Sequence, residues 1–308
     1  MDGVLVVDKP AGVTSHDVVA AVRHILGERR IGHTGTLDPL ATGVLPLACG
    51  RATRLVRFFT ASEKDYTAGI RFGVCTDSYD ILGRELARSG LTPERGNVER
   101  VLESLRGEYL QVPPAYSAKK VGGRRAYELA RRDETVTLAP VTVRVTRADL
   151  LAFTGASAQV AITCSSGFYV RSFAHALGEL VGTGACLESL RRTRSGEFGL
   201  DHAVHLERLR QRAEAFAEGW IPLDGLLPSL PPVHLSQEGR GRVSHGQDVN
   251  GTHVLADAPA TLNATAASGH VEREAGGWVR LLDEHDHLVA LATTASPPGS
   301  LHPAVVLI

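Results

Sequence analysis

Short apolar runs alternate along this chain with stretches rich in glycine, proline and charge, and the spacing within each run predicts an element. Val4-Leu5-Val6-Val7 is a continuous apolar run closed by Asp8-Lys9-Pro10-Ala11-Gly12, which predicts a buried strand and a turn. Val18, Val22, Ile25 and Leu26 recur at helical spacing behind Thr14 and Ser15, which can cap a helix, and Gly27 closes it. Residues 31–50 hold four glycines and two prolines, so most of that stretch reads as ordered loop. From Tyr66 the pattern alternates, predicting a strand with Tyr66, Ala68, Ile70 and Phe72 on one face and Arg71 on the other. Residues 77–96 read as a polar connection. Val98, Val101, Leu102 and Leu105 predict a helix ended by Gly107, and 126–132 a basic helix. Strands are predicted over 135–146 and 159–164. Ser172 is placed to cap a helix over 173–180, Leu190 reads as helical, and a polar helix is expected over 206–217. Residues 223–232 form the best linker. The short apolar pieces 279–282, 288–291 and 305–308 after it predict a small β domain.

Composition narrows the class without deciding it. The chain has 308 residues, 43% hydrophobic and 22% charged, which suits roughly two globular domains. No apolar run approaches the ~18 residues of a membrane span. The opening residues are too short and too acidic a run for a signal peptide, so a cytoplasmic location is expected. Cys49, Cys75, Cys164 and Cys186 are scattered without a C-x-x-C pair, and the 13 histidines show no H-E-x-x-H spacing; no metal site is expected. There is no G-x-x-x-x-G-K-[ST] loop, no G-x-G-x-x-G after a strand and no G-x-S-x-G elbow, so no cofactor is expected either.

Charge is divided unevenly. Residues 1–232 carry 29 Lys and Arg against 26 Asp and Glu, whereas 233–308 carry 4 against 8. Within the first part, Lys119, Lys120, Arg124, Arg125, Arg131 and Arg132 stand against Glu128 alone. Such a cluster beside tyrosines suits RNA, and it suits a solvated helix face equally well.

The most unusual stretch is Gly32-His33-Thr34-Gly35-Thr36-Leu37-Asp38-Pro39-Leu40-Ala41-Thr42-Gly43. Pro39 disfavours helical backbone at Asp38, and glycines on both sides let a ligand approach. A carboxylate held this way can act as a nucleophile; an ordinary Asp-Pro turn has the same spacing.

Gly32 through Pro46 resembles the catalytic loop of the tRNA pseudouridine synthase B (TruB) family, bacterial enzymes that form pseudouridine in the TψC loop of tRNA. Three further stretches agree: Val4 to Pro10 with Gly12, Thr14 and Ser15; Val112 to Lys120 with Gly123, Tyr127, Ala130 and Arg131; and Cys164 to Ser172 with Leu177 and Gly178. The resemblance spans residues 3 to about 195 and is weaker beyond. It implies an α+β (mixed α/β) fold: a catalytic domain over 1–230 with a mixed, largely antiparallel sheet flanked by helices and an RNA-binding insertion at about 77–150, then a PUA-like β barrel over 234–308. It also implies that uridine 55 is isomerised without cofactor, guide RNA or obligatory protein partner, by a monomer. Asp38 falls on the family's catalytic aspartate, Tyr66 on the tyrosine that stacks on the target base, and Arg171 on the arginine paired with the carboxylate. His33 falls on the histidine that fills the gap left by the flipped base. Lys9 matches a lysine near the active site, Leu190 an apolar pocket residue, and Tyr169 can share the face of Arg171 if the strand ending at Cys164 continues. Lys119, Lys120, Arg124 and Arg125 are the candidate phosphate contacts. Two rival readings stand beside this one: a guide-RNA-dependent relative, and a tRNA-binding folding factor with incidental catalysis.

Overall fold

The computed structural model describes residues 1–117, 119–121, 124–125, 138–255 and 277–308. The expected basic helix over 126–132, with Arg131 and Arg132, lies outside the described residues. In chain order the first elements are β1 (Gly3–Lys9), α1 (Ser15–Leu26), β2 (Ile31–His33), β3 (Thr42–Cys49), α2 (Val56–Ala61) and β4 (Lys64–Phe72). The hairpin β5 (Val74–Thr76) and β6 (Glu85–Arg88) follows, then α3 (Arg95–Ser104), β7 (Gly107–Gln111) and the short hairpin β8 (Lys120–Val121) and β9 (Arg124–Arg125). The chain continues through β10 (Val141–Phe153), β11 (Ser157–Cys164), α4 (Val170–Leu180), β12 (Ala185–Ser195), β13 (Phe198–Gly199), β14 (Val204–His205), α5 (Leu206–Gln211) and β15 (Trp220–Pro222). It ends with β16 (Pro232–His234), α6 (Gln237–Ser244), β17 (Val279–Leu282), β18 (Leu288–Ala295) and β19 (Ser300–Val306).

The large sheet runs β14-β1-β3-β12-β4-β11-β10-β7, with β2 on β3, β13 on β12 and β15 on β1. Only β1–β14 and β12–β3 pair in parallel among its described strands, so the sheet is mixed and largely antiparallel. Its central strands are covered on both faces, which explains their unbroken apolar runs. In β1, Leu5 and Val7 enter one core with α1, while Val4 and Val6 enter a second core on the opposite face. β3 divides in the same way, Leu45 and Leu47 against Val44 and Ala48. Each fully buried Val or Leu contributes about 1.5–3 kcal/mol.

The second core is shared with a separate four-stranded sheet, β16-β17-β18-β19. Leu282, Leu288, Leu291, Val305 and Leu307 pack in it beside Val4, Val6, Val44 and Phe59. Arg51 donates to Leu307 O at 2.7 Å and Arg54 to Val306 O, satisfying carbonyls at the end of β19. Phe58 meets Trp278 edge to face at 4.9 Å, with Arg57 over both rings. No helix among the described residues is long and apolar enough to cross a membrane.

Several expectations change. Residues 42–49 form a central strand where a loop was expected. Pro46 is tolerated because β12 pairs with β3 at 42–43 and β2 at 47–49, leaving residue 46 between the two partners. Residues 77–96 include β6 as well as a polar turn, and the expected helix over 206–217 is a short α5 followed by a 3₁₀ segment. The helix expected from Phe173 begins at Val170, so Ser172 lies inside its first turn and Tyr169 is the N-cap. Leu190 is on strand β12, not a helix.

Candidate active site

Asp38 sits in the loop between β2 and β3, and the loop is pinned on both sides of it. The Leu37 N–H donates to Ser15 Oγ at 2.8 Å, and that hydroxyl donates to Leu37 O at 3.0 Å. Gly12 N–H donates to Pro39 O at 2.8 Å, and Ala41 N–H to Asp38 O at 3.0 Å. Leu37 itself is buried in the first core. Ser15 therefore leaves capping of α1 to Thr14, which forms a capping box with Asp17. The carboxylate is left half-exposed on a fixed backbone.

Arg171 reaches this carboxylate from the first turn of α4. Its side chain is 6% exposed and each guanidinium nitrogen donates: Nε to Asp38 Oδ2 at 2.8 Å, Nη1 to Ser78 O at 3.0 Å and Nη2 to Tyr116 O at 2.8 Å. Asp80 Oδ2 lies 3.7 Å from the same Nε. A planar fork holds its donors in fixed directions, so it joins three segments while aiming one N–H at the carboxylate; the three donors of an ammonium rotate freely. The helix start is held in turn by Gln111, whose amide donates to Tyr169 O at 3.1 Å and accepts from Tyr169 N–H at 2.8 Å. Ser172 Oγ adds a bond to Val112 O at 2.8 Å.

Tyr66 lies on the face of β4 expected from the alternation, packed against the first core. Its direct partner across the ladder is Arg192 of β12, and Leu190 pairs with Ala68 on that same face. Arg192 is completely buried, with Nε donating to Val44 O at 2.7 Å and Nη2 to Gly35 O at 3.2 Å. Gly43 lets the β12 backbone come this close: its φ is +99°, and a Cβ there would lie 2.1 Å from Arg192 O. Burial pushes the Tyr66 phenol above its ordinary range; the Arg192 charge opposes this and the Asp38 carboxylate adds to it. Tyr66 thus stays neutral and keeps its proton at neutral pH.

Lys9 is wholly buried at the end of β1, not in a turn, and donates to Pro10 O at 2.9 Å and Val13 O at 2.7 Å. Burial pulls its pKa down to about 8, with Asp38 pulling it up and Arg192 down. His33 is half-buried at the end of β2, and its Nδ1 has no hydrogen-bond partner among the described residues. Burial and the Arg192 charge keep its imidazole neutral. Tyr169 is half-buried beside Arg171 and Asp38, and burial raises its phenol. It is there as the N-cap of α4, not as the continuation of a strand.

The structure thus brings Arg171, Lys9, Tyr66 and Tyr169 within reach of the Asp38 carboxylate, puts Leu190 opposite Ala68 on the neighbouring strand, and sets His33 beside Arg192. Lys119 is half-buried. The β8–β9 hairpin carries Lys120 opposite Arg125 and Val121 opposite Arg124 in register. It follows the segment whose Tyr116 carbonyl holds Arg171. Sequence reasoning missed Ser15 as a loop anchor, Gln111, Asp80 and Arg192. The last had a signal, an arginine in the alternating run 185–195, but only the tertiary pairing shows that it points inward.

The chain resembles solved structures over 99% of its length. One is an H/ACA RNP bound to a substrate RNA containing 2′-deoxyuridine, with TM-score 0.74, 24% identity and 85% of that chain covered. Another is a Cbf5–Nop10–Gar1 complex, with TM-score 0.72, 26% identity and 85% of that chain covered. Enzymes with a pseudouridine-synthase fold form the class to which this sheet and this site point. A family model for the TruB pseudouridylate synthase N-terminal domain matches residues 23–170, and one for the tRNA pseudouridylate synthase B C-terminal domain matches 171–229. Proteins named tRNA pseudouridine synthase B match from Solibacter usitatus (44% identical, covering all of both chains) and Pseudomonas aeruginosa (37%, covering 94% of this chain and 91% of that one). A third, from a Mycobacterium species, is 48% identical over 87% of this chain and 92% of its own. The chain belongs to the TruB family of pseudouridylate synthases.

Proposed function

We propose that this enzyme isomerises uridine 55 in the TψC loop of tRNA on its own, with Asp38 as the catalytic group. The observation that carries the reading is the Asp38–Arg171 pair: a half-exposed carboxylate on an immobilised loop, oriented by a buried guanidinium at 2.8 Å. The target base leaves its stack and enters the pocket, at a cost of a few kcal/mol. Tyr66 stacks on it and offsets about 1–3 kcal/mol of that cost. Asp38 acts at the ribose C1′ as the bond from C1′ to N1 breaks. The uracil turns, C5 bonds to C1′ as the Asp38 carboxylate is released, and the proton lost from C5 is made good at N1; the Tyr66 phenol can relay it by giving its own proton as it takes another. No bond is oxidised or reduced. Leu190 walls the pocket, Tyr169 flanks the Asp38–Arg171 pair, and His33 occupies the space the base vacates in the RNA. Lys9 balances charge beneath Asp38.

The names and identities of the bacterial relatives favour a stand-alone enzyme over the guide-dependent reading, and we read it as a cytoplasmic monomer. The RNA is gripped by Lys119 and by Lys120, Arg124 and Arg125 on the β8–β9 hairpin within the insertion at about 77–150. Residues 1–230 act as the catalytic domain and 234–308 as a PUA-like domain that mainly braces it. Incubating the purified protein alone with one unmodified tRNA transcript, then mapping pseudouridine, tests the reaction; an unmodified position 55 refutes it. Replacing Lys120, Arg124 and Arg125 by Ala tests the grip. Affinity should fall, and the slope of log K against log salt should flatten by up to about one unit per lost contact.

A further inference from the structure

Among the described residues, Tyr79, Leu227 and Asp286 are the non-glycine positions with positive φ, and Tyr79, at +64°, sits beside the active site. An aromatic side chain rarely occupies this region, and such strain persists only where the surroundings impose it. The Tyr79 ring lies flat on the imidazole of His175, with centroids 4.0 Å apart and planes 5° from parallel. His175 follows Arg171 by four residues on α4, so the two share a helix face. Its Nδ1 is buried and has no hydrogen-bond partner among the described residues, so no hydrogen bond at that nitrogen helps to hold the ring.

The loop that carries Tyr79 carries two of the groups that meet Arg171. Ser78 O accepts from Nη1 at 3.0 Å, and Asp80 Oδ2 lies 3.7 Å from Nε. Asp80 is fixed within the loop by bonds from Ser78 Oγ at 3.0 Å and Leu82 N–H at 3.1 Å. The other side of the loop hangs on β12: Leu187 N–H donates to Tyr79 O and Ile81 N–H to Leu187 O, each at 2.9 Å. Among the described residues, the hydrogen bond and the ion pair that join this loop to α4 both run through the Arg171 side chain, the group that must be aimed.

We propose that Tyr79 and His175 form a positioning clamp, whose stack seats the loop 77–84 on α4 so that Ser78 O and Asp80 set the direction in which Arg171 presents itself to Asp38. Neither residue touches the reacting atoms; both act through Arg171. The inference rests on the reading of Asp38 and Arg171 as the reacting pair, and the parent enzyme's turnover on the same transcript tests that reading separately.

Backbone and ring can be separated by substitution. Tyr79→Gly accepts the positive φ without strain and deletes the ring, whereas Tyr79→Phe keeps the stack. The expected result is that Tyr79→Gly and His175→Ala each lower single-turnover kcat by about tenfold while leaving KM for tRNA near the parent value. Tyr79→Phe and His175→Phe should retain about half of the parent rate or more. In an Arg171→Lys background, Tyr79→Gly should cost far less than in the parent, because coupled residues are not additive. Three results would overturn the clamp: a Tyr79→Gly enzyme as fast as the parent, a Tyr79→Phe enzyme as slow as Tyr79→Gly, or full additivity with Arg171→Lys. If Tyr79→Gly unfolds, the His175→Ala and His175→Phe pair decides by the same kcat comparison.

Discussion

The two sheets of this molecule are built to opposite rules. Around the large sheet, Lys9, Lys64, Arg171, Arg192, Asp8 and Asp80 are all buried or nearly so. In the described part of 232–308, Asp283 is the one buried charge; the buried residues of β17 and β18 are Val, Leu and Ala, and those of β19 are Ser300, Leu301, Pro303 and Val305. A buried ion costs several kcal/mol to desolvate, and well-packed apolar groups often serve stability as well or better. The second sheet follows that logic and the first does not. Charge is buried where it does something that packing cannot, which is to aim a carboxylate, hold a phenol and tie loops to strands.

Four substitutions can break or sharpen this contrast. The largest effect should come from Asp38→Asn, which keeps the shape and loses the nucleophile. Turnover should fall by about a thousandfold or more, with tRNA affinity near that of the parent. Appreciable turnover would place the chemistry elsewhere.

Next is Arg171→Ala, which removes the partner of Asp38 and frees two carbonyls. Both readouts should move: kcat down by about a hundredfold or more, and stability down by about 3 kcal/mol, the lower end for breaking a buried pair, because Asp38 is half-exposed. Unchanged kcat in the folded variant would show that the pair is only structural.

Leu291→Ala in the second sheet should do the reverse. It removes a wholly buried side chain from the shared core and should cost about 2–5 kcal/mol in denaturant unfolding, with little change in kcat. A large loss of kcat below the melting point would show that the second sheet shapes the site. The same core makes deletion of 234–308 a poor test of RNA binding, since it would bare Val4, Val6 and Val44.

The effect of Lys9 should be confined to alkaline pH. Its folded pKa of about 8 lies below the ordinary 10.5, so the charged form is the one that folding disfavours. The penalty is full below pH 8 and is relieved as pH rises from about 8 to 10.5. Measured against Lys9→Met, the parent should gain up to about 3 kcal/mol over that window. A flat difference would mean that the amine reaches water.

The sequence made some of this legible and hid the rest for identifiable reasons. The strand of Tyr66 and the helix of Val18 and Val22 follow from local periods, and both are present. Asp38 and Arg171 could be singled out because each lies in a recognisable run of residues, though their pairing spans 133 positions. Ser15, Gln111, Asp80 and Arg192 act across distances that no local period encodes. Glycine and proline within β3 disguised a central strand, because Gly43 and Pro46 are there for what lies beside them. Leu190 was misplaced because an inward arginine two residues later breaks the apolar alternation of β12.

The shared core also sets a timetable. Val4 and Val6 leave the ribosome early, yet their partners Leu282, Leu288, Leu291 and Val305 follow about 300 residues later. At roughly 5–20 residues per second, that face of β1, beside which Ala52, Leu55 and Phe59 come early, waits on the order of 15–60 s for the strands of the second sheet. α1 and the first core can form in the meantime, while Val44 and Ala48 of β3 share the exposure. Part of that sheet face therefore stays open until β17, β18 and β19 are made, and those strands complete a core in which β1 already stands.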